Sequence, residues 1–247
     1  MIFGEHWRIL ILPSTKMIAE NIEQLKQTIR ETCFRCKRKP SDVLVLAVTK
    51  TFAADKIREA RAAGLEDFGE NYAQELNEKR QQLQEPGIRW HFIGHLQSNK
   101  VKYIADFIHL IHSVDNLRVA EEINKRAERA KRTVDILLEV HTTDEATKFG
   151  VLPEQTLALA EGISSLANVR VNGLMTMGPF SDNPNDSRPS FQTLVQLQQK
   201  IEKEGIPNIT MRHLSMGMTH DFQVAIEEGA TIVRIGTAIF GPRRSPR

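Results

Sequence analysis

The sequence predicts one closed (β/α)8 barrel of the TIM type, an α/β fold. Eight short β-branched runs alternate with stretches whose apolar residues recur every three or four positions, the pattern of βαβ units around a parallel sheet. The length of 247 residues suits such a barrel as one domain. The rival open sheet would favour a Gly-x-Gly-x-x-Gly turn after an early strand, and neither that motif nor a Gly-x-x-x-x-Gly-Lys phosphate loop occurs.

Each element has its own signal. Ile18, Ile22, Leu25 and Ile29 set a first helix over 18–33. Residues 1–16 read as an N-terminal extension, with Met17 an alternative start, and residues 17–247 as the binding barrel. Strand one is the apolar run 43–48. Its helix, 54–63, stops at Gly64, a glycine C-cap. A short second strand, 67–69, precedes a helix over 73–84 that ends before Pro86-Gly87. Strand three, 90–93, leads to a short helix over 98–105 with Ser98 as N-cap. Strand four, 108–113, precedes a charged amphipathic helix over 117–131. Strand five, 134–140, precedes a helix over 153–166 with Pro153 in its first turn. Strand six, 169–176, is followed by a polar insertion, 178–187, then a helix over 188–204. Strand seven, 211–214, a helix over 220–228 and strand eight, 231–235, complete the set.

Composition narrows the function classes. Lys and Arg number 33 against 31 Asp and Glu, a net charge of +2, which argues against a nucleic-acid partner. No stretch reaches the ~18–20 apolar residues of a membrane helix, so a cytoplasmic protein is expected. Cys33 and Cys36 read as two reduced thiols on the first helix.

The chemistry gathers at strand ends. Lys50 closes the first strand, where partial desolvation would lower an amine's pKa and free it to form a Schiff base; a plain strand-end lysine is the alternative. Ser215, Gly217 and Thr219 follow strand seven, and Gly236 and Thr237 follow strand eight. Small residues with open N–H groups at these two turns are what a barrel uses to hold a phosphate, unless they are ordinary rim turns. A phosphate cradle and an amine in one pocket suggest a ligand with a phosphate and an aldehyde, and pyridoxal 5'-phosphate has both.

Arg234 interrupts an apolar strand. It is read either as the partner of a core carboxylate or as a donor to a pyridine nitrogen. Asn71 follows strand two, and either bonds a ring hydroxyl or caps the next helix. His91, with His95 four residues on, lies in a strand and turn, so metal binding is not expected; on the interior face His91 would bond Asn71 or a ligand. Met175 ends strand six as a ligand contact or as packing. Lys148 is a candidate second amine near the rim, or a solvated lysine.

Six ordered blocks carry a resemblance: Ala47-Val48-Thr49-Lys50, Phe68-Gly69-Glu70-Asn71-Tyr72, Trp90-His91-Phe92-Ile93-Gly94 with Leu96-Gln97-Ser98-Asn99-Lys100, Gly173-Leu174-Met175-Thr176, Leu214-Ser215-Met216-Gly217-Met218, and Val233-Arg234-Ile235-Gly236-Thr237-Ala238-Ile239-Phe240-Gly241. Together the chain resembles the pyridoxal phosphate homeostasis protein family over nearly its whole length. The resemblance implies a barrel like the alanine racemase N-terminal domain, with pyridoxal phosphate covalent on Lys50. It implies Ser215, Gly236 and Thr237 at the phosphate, Arg234 at the ring nitrogen and Asn71 at the ring. It also implies a carrier and buffer of the cofactor rather than an amino-acid-converting enzyme, with apo enzymes that use pyridoxal phosphate as recipients. Some members carry a second lysine two residues after the first; Phe52 stands there in this chain.

The alternatives are a slow racemase or decarboxylase, and a class I aldolase. A racemase needs an acid or base on each face of the α-carbon, which in alanine-racemase-like enzymes involves a tyrosine from a second domain. This chain offers Tyr72 and Tyr103 and ends soon after strand eight, so a carrier is expected, as a monomer.

Overall fold

The computed structural model describes residues 13–143 and 149–242. Eight parallel strands close into a barrel in sequence order: β1 (Leu44–Val48), β2 (Asp67–Glu70), β3 (Arg89–Phe92), β4 (Leu110–Val114), β5 (Val134–Glu139), β6 (Val169–Met175), β7 (Ile209–Met218) and β8 (Ile232–Ile235). Leu44 to Ala47 pair with Ile232 to Ile235, so β8 shuts against β1 and no sheet edge remains. The expected closed barrel is the observed one.

Helices wrap the outside: α1 (Pro13–Arg35), α2 (Ala54–Ala62), α3 (Ala73–Gln82), α4 (Leu117–Arg129), α5 (Pro153–Ser164), α6 (Arg188–Lys203), α7 (Phe222–Glu227) and α8 (Thr237–Phe240). Three differences from expectation have physical causes. The stretch over 98–105 forms a 3-10 turn, Ser98–Tyr103, and Gln97 rather than Ser98 stands at its N-cap with no side-chain cap. Strand β7 runs on to Met218, because the register against β8 shifts between Ser215 and Met218 and Gly217 takes φ +87°. The four-residue α8 has too few residues to show a helical period. It cannot cover the β8–β1 seam alone, and α1 packs against α2, α7 and α8 there. Asn21 donates to the Ile239 carbonyl and Arg38 to those of Ile226 and Ala230.

Alternation along the strands sorts side chains into two cores. Val45, Ala47, Val233 and Ile235 point outward under the helices. Leu46, Leu110, Leu137, Met175 and Ile232 fill the barrel interior. The same parity turns Val48 and Arg234 inward. Cys33 is buried on α1, Cys36 follows that helix half-buried, and both are unbridged. No described helix is long and apolar enough to cross a membrane.

Candidate functional site

At the C-terminal end of the barrel lies a cavity of about 240 Å³. It is lined by Val48, Lys50, Asn71, Ile93, Met177, Met218, Thr219, His220, Arg234, Gly236 and Thr237. A larger groove, about 470 Å³, sits at the opposite end against α1. It collects strand N-termini, which in this fold serve stability, whereas barrel chemistry is built at the C-terminal face.

Lys50 stands two residues beyond β1, half-buried, in a turn held by a buried polar network. The next residue, Thr51, has φ +69°, a costly conformation for a β-branched side chain. Its N–H donates to Glu75 Oε1 at 2.7 Å. Lys79 reaches up from α3 and donates to the Thr49 carbonyl (2.8 Å), to Glu70 (2.7 Å) and to Glu75 (2.7 Å). The Thr49 hydroxyl donates to Glu70 at 2.6 Å. Burial pushes the Glu70 carboxyl up, to about 7, against the opposing pull of Lys79 and Thr49. Phe52 packs its ring on Phe240 of α8, with centroids 5.0 Å apart, which ties the same turn to the β8 side.

Arg234, on β8 beside β1, lines the same cavity and is buried. One terminal nitrogen donates to the Ser215 carbonyl (2.6 Å) and hydroxyl (2.9 Å), and the other to the Thr176 carbonyl (2.8 Å). Burial lowers its pKa to about 10, still far above neutrality. These bonds use three of its five N–H groups.

Asn71 enters from the β2 side. Its Oδ1 is buried without a hydrogen-bond partner among the described residues, an arrangement that a ligand donor would complete. It does not cap α3, where Tyr72 holds the N-cap position. Its backbone is pressed against Gly94, where a Cβ would come 2.7 Å from the Asn71 Cα. On the far side lie Thr219, Gly236 and Thr237. A Cβ at Gly236 would meet nothing nearer than Val48 at 3.5 Å, so packing does not demand glycine there and the space belongs to the cavity.

Six of the ten sequence-predicted residues therefore meet in one cavity: Lys50, Asn71, Thr219, Arg234, Gly236 and Thr237. The other four lie elsewhere. Ser215 is fully buried under Arg234, its hydroxyl spent on that side chain and on His112 at 2.9 Å, instead of opening to a phosphate. Gly217 is required by packing, since a Cβ there would meet Ala225 Cβ at 2.5 Å. Met175 lies one layer down in the interior core, and Met177, two residues on with the same parity, takes its place. His91 is buried deeper still. It meets Asp67 Oδ1 at 3.0 Å and His112 Nε2 at 2.9 Å instead of Asn71. Lys148 lies outside the described residues. Sequence reasoning missed Val48, Ile93, Met177, Met218 and His220, and the parity of an inward residue two positions away would have found the first three.

The arrangement suits a small ligand with an electrophilic carbon at Lys50, an acceptor at Arg234 and an anion at the Thr219, Gly236 and Thr237 turns. The profile of the alanine racemase N-terminal domain matches residues 14–244. A pyridoxal phosphate homeostasis protein of Aquifex aeolicus is 45% identical over 225 residues, 91% of this chain and 98% of that protein. The chain belongs to the pyridoxal phosphate homeostasis protein family.

Solved structures agree with the family. PipY of Synechococcus elongatus, determined with PLP bound, is 33% identical, with a TM-score of 0.78 covering 91% of this chain and all of that one. An alanine racemase of Clostridium difficile is 13% identical, with a TM-score of 0.75 over 93% of this chain and 58% of that one, a likeness of fold alone.

Proposed function

We propose that the chain binds pyridoxal 5'-phosphate reversibly through Lys50 and acts as a carrier and buffer in cofactor homeostasis. The observation that carries this reading is the convergence, in one cavity, of a strand-end lysine, a buried arginine and a hydroxyl-bearing glycine turn. The orphaned Asn71 Oδ1 and the open position at Gly236 support the fit. Family membership and the PLP-bound relative support it independently.

When bound, the cofactor supplies an aldehyde that a lysine amine can take up covalently, and an aromatic ring. The chain's residues hold it. Lys50 provides the amine, poised by the Thr49–Glu70–Lys79–Glu75 network. Arg234 directs an N–H at the ring nitrogen, and a guanidinium that keeps its proton favours an unprotonated nitrogen. Thr219 and Thr237 offer hydroxyls, and Gly236 backbone space, to the phosphate. Asn71 accepts from the ring substituent. His91, Met175, Ser215 and Gly217 support this constellation from the layer behind. The reading takes residues 17–247 as one binding barrel, acting in the cytoplasm as a monomer, with apo enzymes as recipients.

The test is a visible absorption spectrum of the purified protein, followed by borohydride reduction and peptide mapping by mass spectrometry. A pyridoxyl group fixed on Lys50, absent in Lys50→Ala, supports the reading. A protein that takes up no added pyridoxal phosphate overturns it. Exchange of amino-acid α-protons in deuterated water at a physiological rate would favour the slow racemase instead.

A further inference from the structure

Five side chains form one unbroken line of hydrogen bonds through the barrel. It starts at Asp67 on β2, near the N-terminal end. Asp67 Oδ1 meets His91 Nε2 at 3.0 Å, and His91 Nδ1 meets His112 Nε2 at 2.9 Å. His112 Nδ1 meets Ser215 Oγ at 2.9 Å, and Ser215 Oγ meets Arg234 Nη1 at 2.9 Å. All five residues are at most 5% exposed. Leu46, Leu110, Leu137, Met175 and Ile232, fully or almost fully buried, pack the interior beside it.

The proton positions along this line follow from its ends. Burial raises the Asp67 carboxyl, but the bonds from Arg89 and His91 outweigh it and leave it at about 2. Asp67 therefore only accepts, and His91 must carry its proton on Nε2. Burial holds His91 and His112 below the usual imidazole range, so both are neutral. The unprotonated Nδ1 of His91 then requires a proton on His112 Nε2, which leaves His112 Nδ1 as an acceptor. Ser215 must donate its hydroxyl proton there. The other end demands the same, because a guanidinium only donates and Ser215 Oγ must receive it. Every link points from Arg234 to Asp67, and two fixed charges of opposite sign enforce one polarity.

We infer that this line is a positioning device for Arg234: it fixes His91 and His112 as Nε2–H tautomers and Ser215 as a directed acceptor, locking the guanidinium's orientation toward the cavity. His91, His112, Ser215 and Asp67 are positioning residues and touch no ligand. The value of a locked Arg234 for pyridoxal phosphate rests on the function proposed above. A hydrogen-bonded line in a dry interior is electrostatically strong, and each member polarises the next. Two of these residues also belong to a metal-like cluster, since Asp67, His91 and the exposed His109 offer ligand atoms within 4.8 Å of one another. Arg89 donates to both Asp67 oxygens, at 2.7 and 2.6 Å, and a second cation would have to displace it.

The test uses the full chain labelled with 15N in histidine and arginine. Long-range proton–nitrogen spectra of the unliganded protein at neutral pH are expected to show His91 and His112 both as Nε2–H tautomers. Arg234 is expected to show resolved terminal nitrogens, the sign of hindered guanidinium rotation. In Ser215→Ala those nitrogens merge, pyridoxal phosphate binds about tenfold more weakly, and the absorption maximum of the bound form shifts. Ser215→Thr, which restores the hydroxyl, recovers all three. A purely structural role for Ser215 would lower stability without moving the absorption maximum. An Nδ1–H or doubly protonated form of either histidine overturns the inference, as does a freely rotating Arg234 in the unaltered protein. These spectra need neither ligand nor variant. If the unaltered protein takes up no pyridoxal phosphate, the proposed function fails while the spectra still decide the line.

Discussion

At the scale of single residues, the cavity is shaped as much by what is missing from side chains as by what they carry. Gly94 lets the Asn71 backbone pass at a distance no Cβ allows. Gly94→Ala is therefore expected to cost about 1–3 kcal/mol and to weaken ligand binding together with stability, measured by urea unfolding and cofactor titration. Gly217→Ala combines φ +87° with a clash against Ala225, and is expected to lower the thermal midpoint by a comparable free energy. Lys50 and Arg234 were legible in the sequence because a charge at the end of, or inside, an apolar strand is costly unless a partner or a ligand uses it. Ser215 reads in the sequence as a polar rim residue, whereas the structure buries it within β7. The strand runs on past Ser215 through a register shift against β8, which no local pattern announces. His91 was legible as interior; its partner His112 was not, since the line joins strands β3, β4 and β7 across the barrel.

At the scale of elements, the turn after β1 is held from a neighbouring helix as well as by its own residues. Lys79 on α3 is 5% exposed and Glu70 on β2 is fully buried, so neither can lose the other cheaply. Lys79→Met is expected to destabilise the protein by about 3–5 kcal/mol by leaving the buried Glu70 carboxyl without its cationic partner. Adding Glu70→Met should recover much of that loss in urea unfolding. If the network also poises Lys50, the double variant will regain stability but not cofactor affinity. Strand and helix boundaries were readable almost throughout, because Gly64, Pro86 and Pro153 punctuate the periodic stretches. The short 3-10 turn at Ser98–Tyr103 was not, since six residues with Val101 alone buried fit either a turn or a helix start.

At the scale of the whole molecule, the polarity of the interior sets a pH response. The Asp67 carboxyl is lowered from 3.8 to about 2 in the folded state. Its stabilisation is present above the unfolded value and is lost as pH falls toward 2. At about 1.36 kcal/mol per pH unit this amounts to about 2 kcal/mol. The stability difference between the unaltered protein and Asp67→Asn should shrink by that amount between pH 5 and pH 2 in urea titrations. Glu70 and Glu139, both raised to about 7 by burial, act in the opposite sense. Their contributions are present below 4.5 and lost as pH rises through 7. The barrel itself was legible from eight alternations. Which strand closes on which followed from the absence of any leftover edge, not from a pairing signal in the residues. That closure has a consequence in time. Lys50 stands just after the first strand, while Arg234, Gly236 and Thr237 come from the last strand and the turn behind it. At about 5–20 residues per second, a ribosome needs on the order of tens of seconds between the two. The pocket is complete only when β8 docks, so a nascent or truncated chain lacking that strand is expected to have no pocket to hold the cofactor beside Lys50.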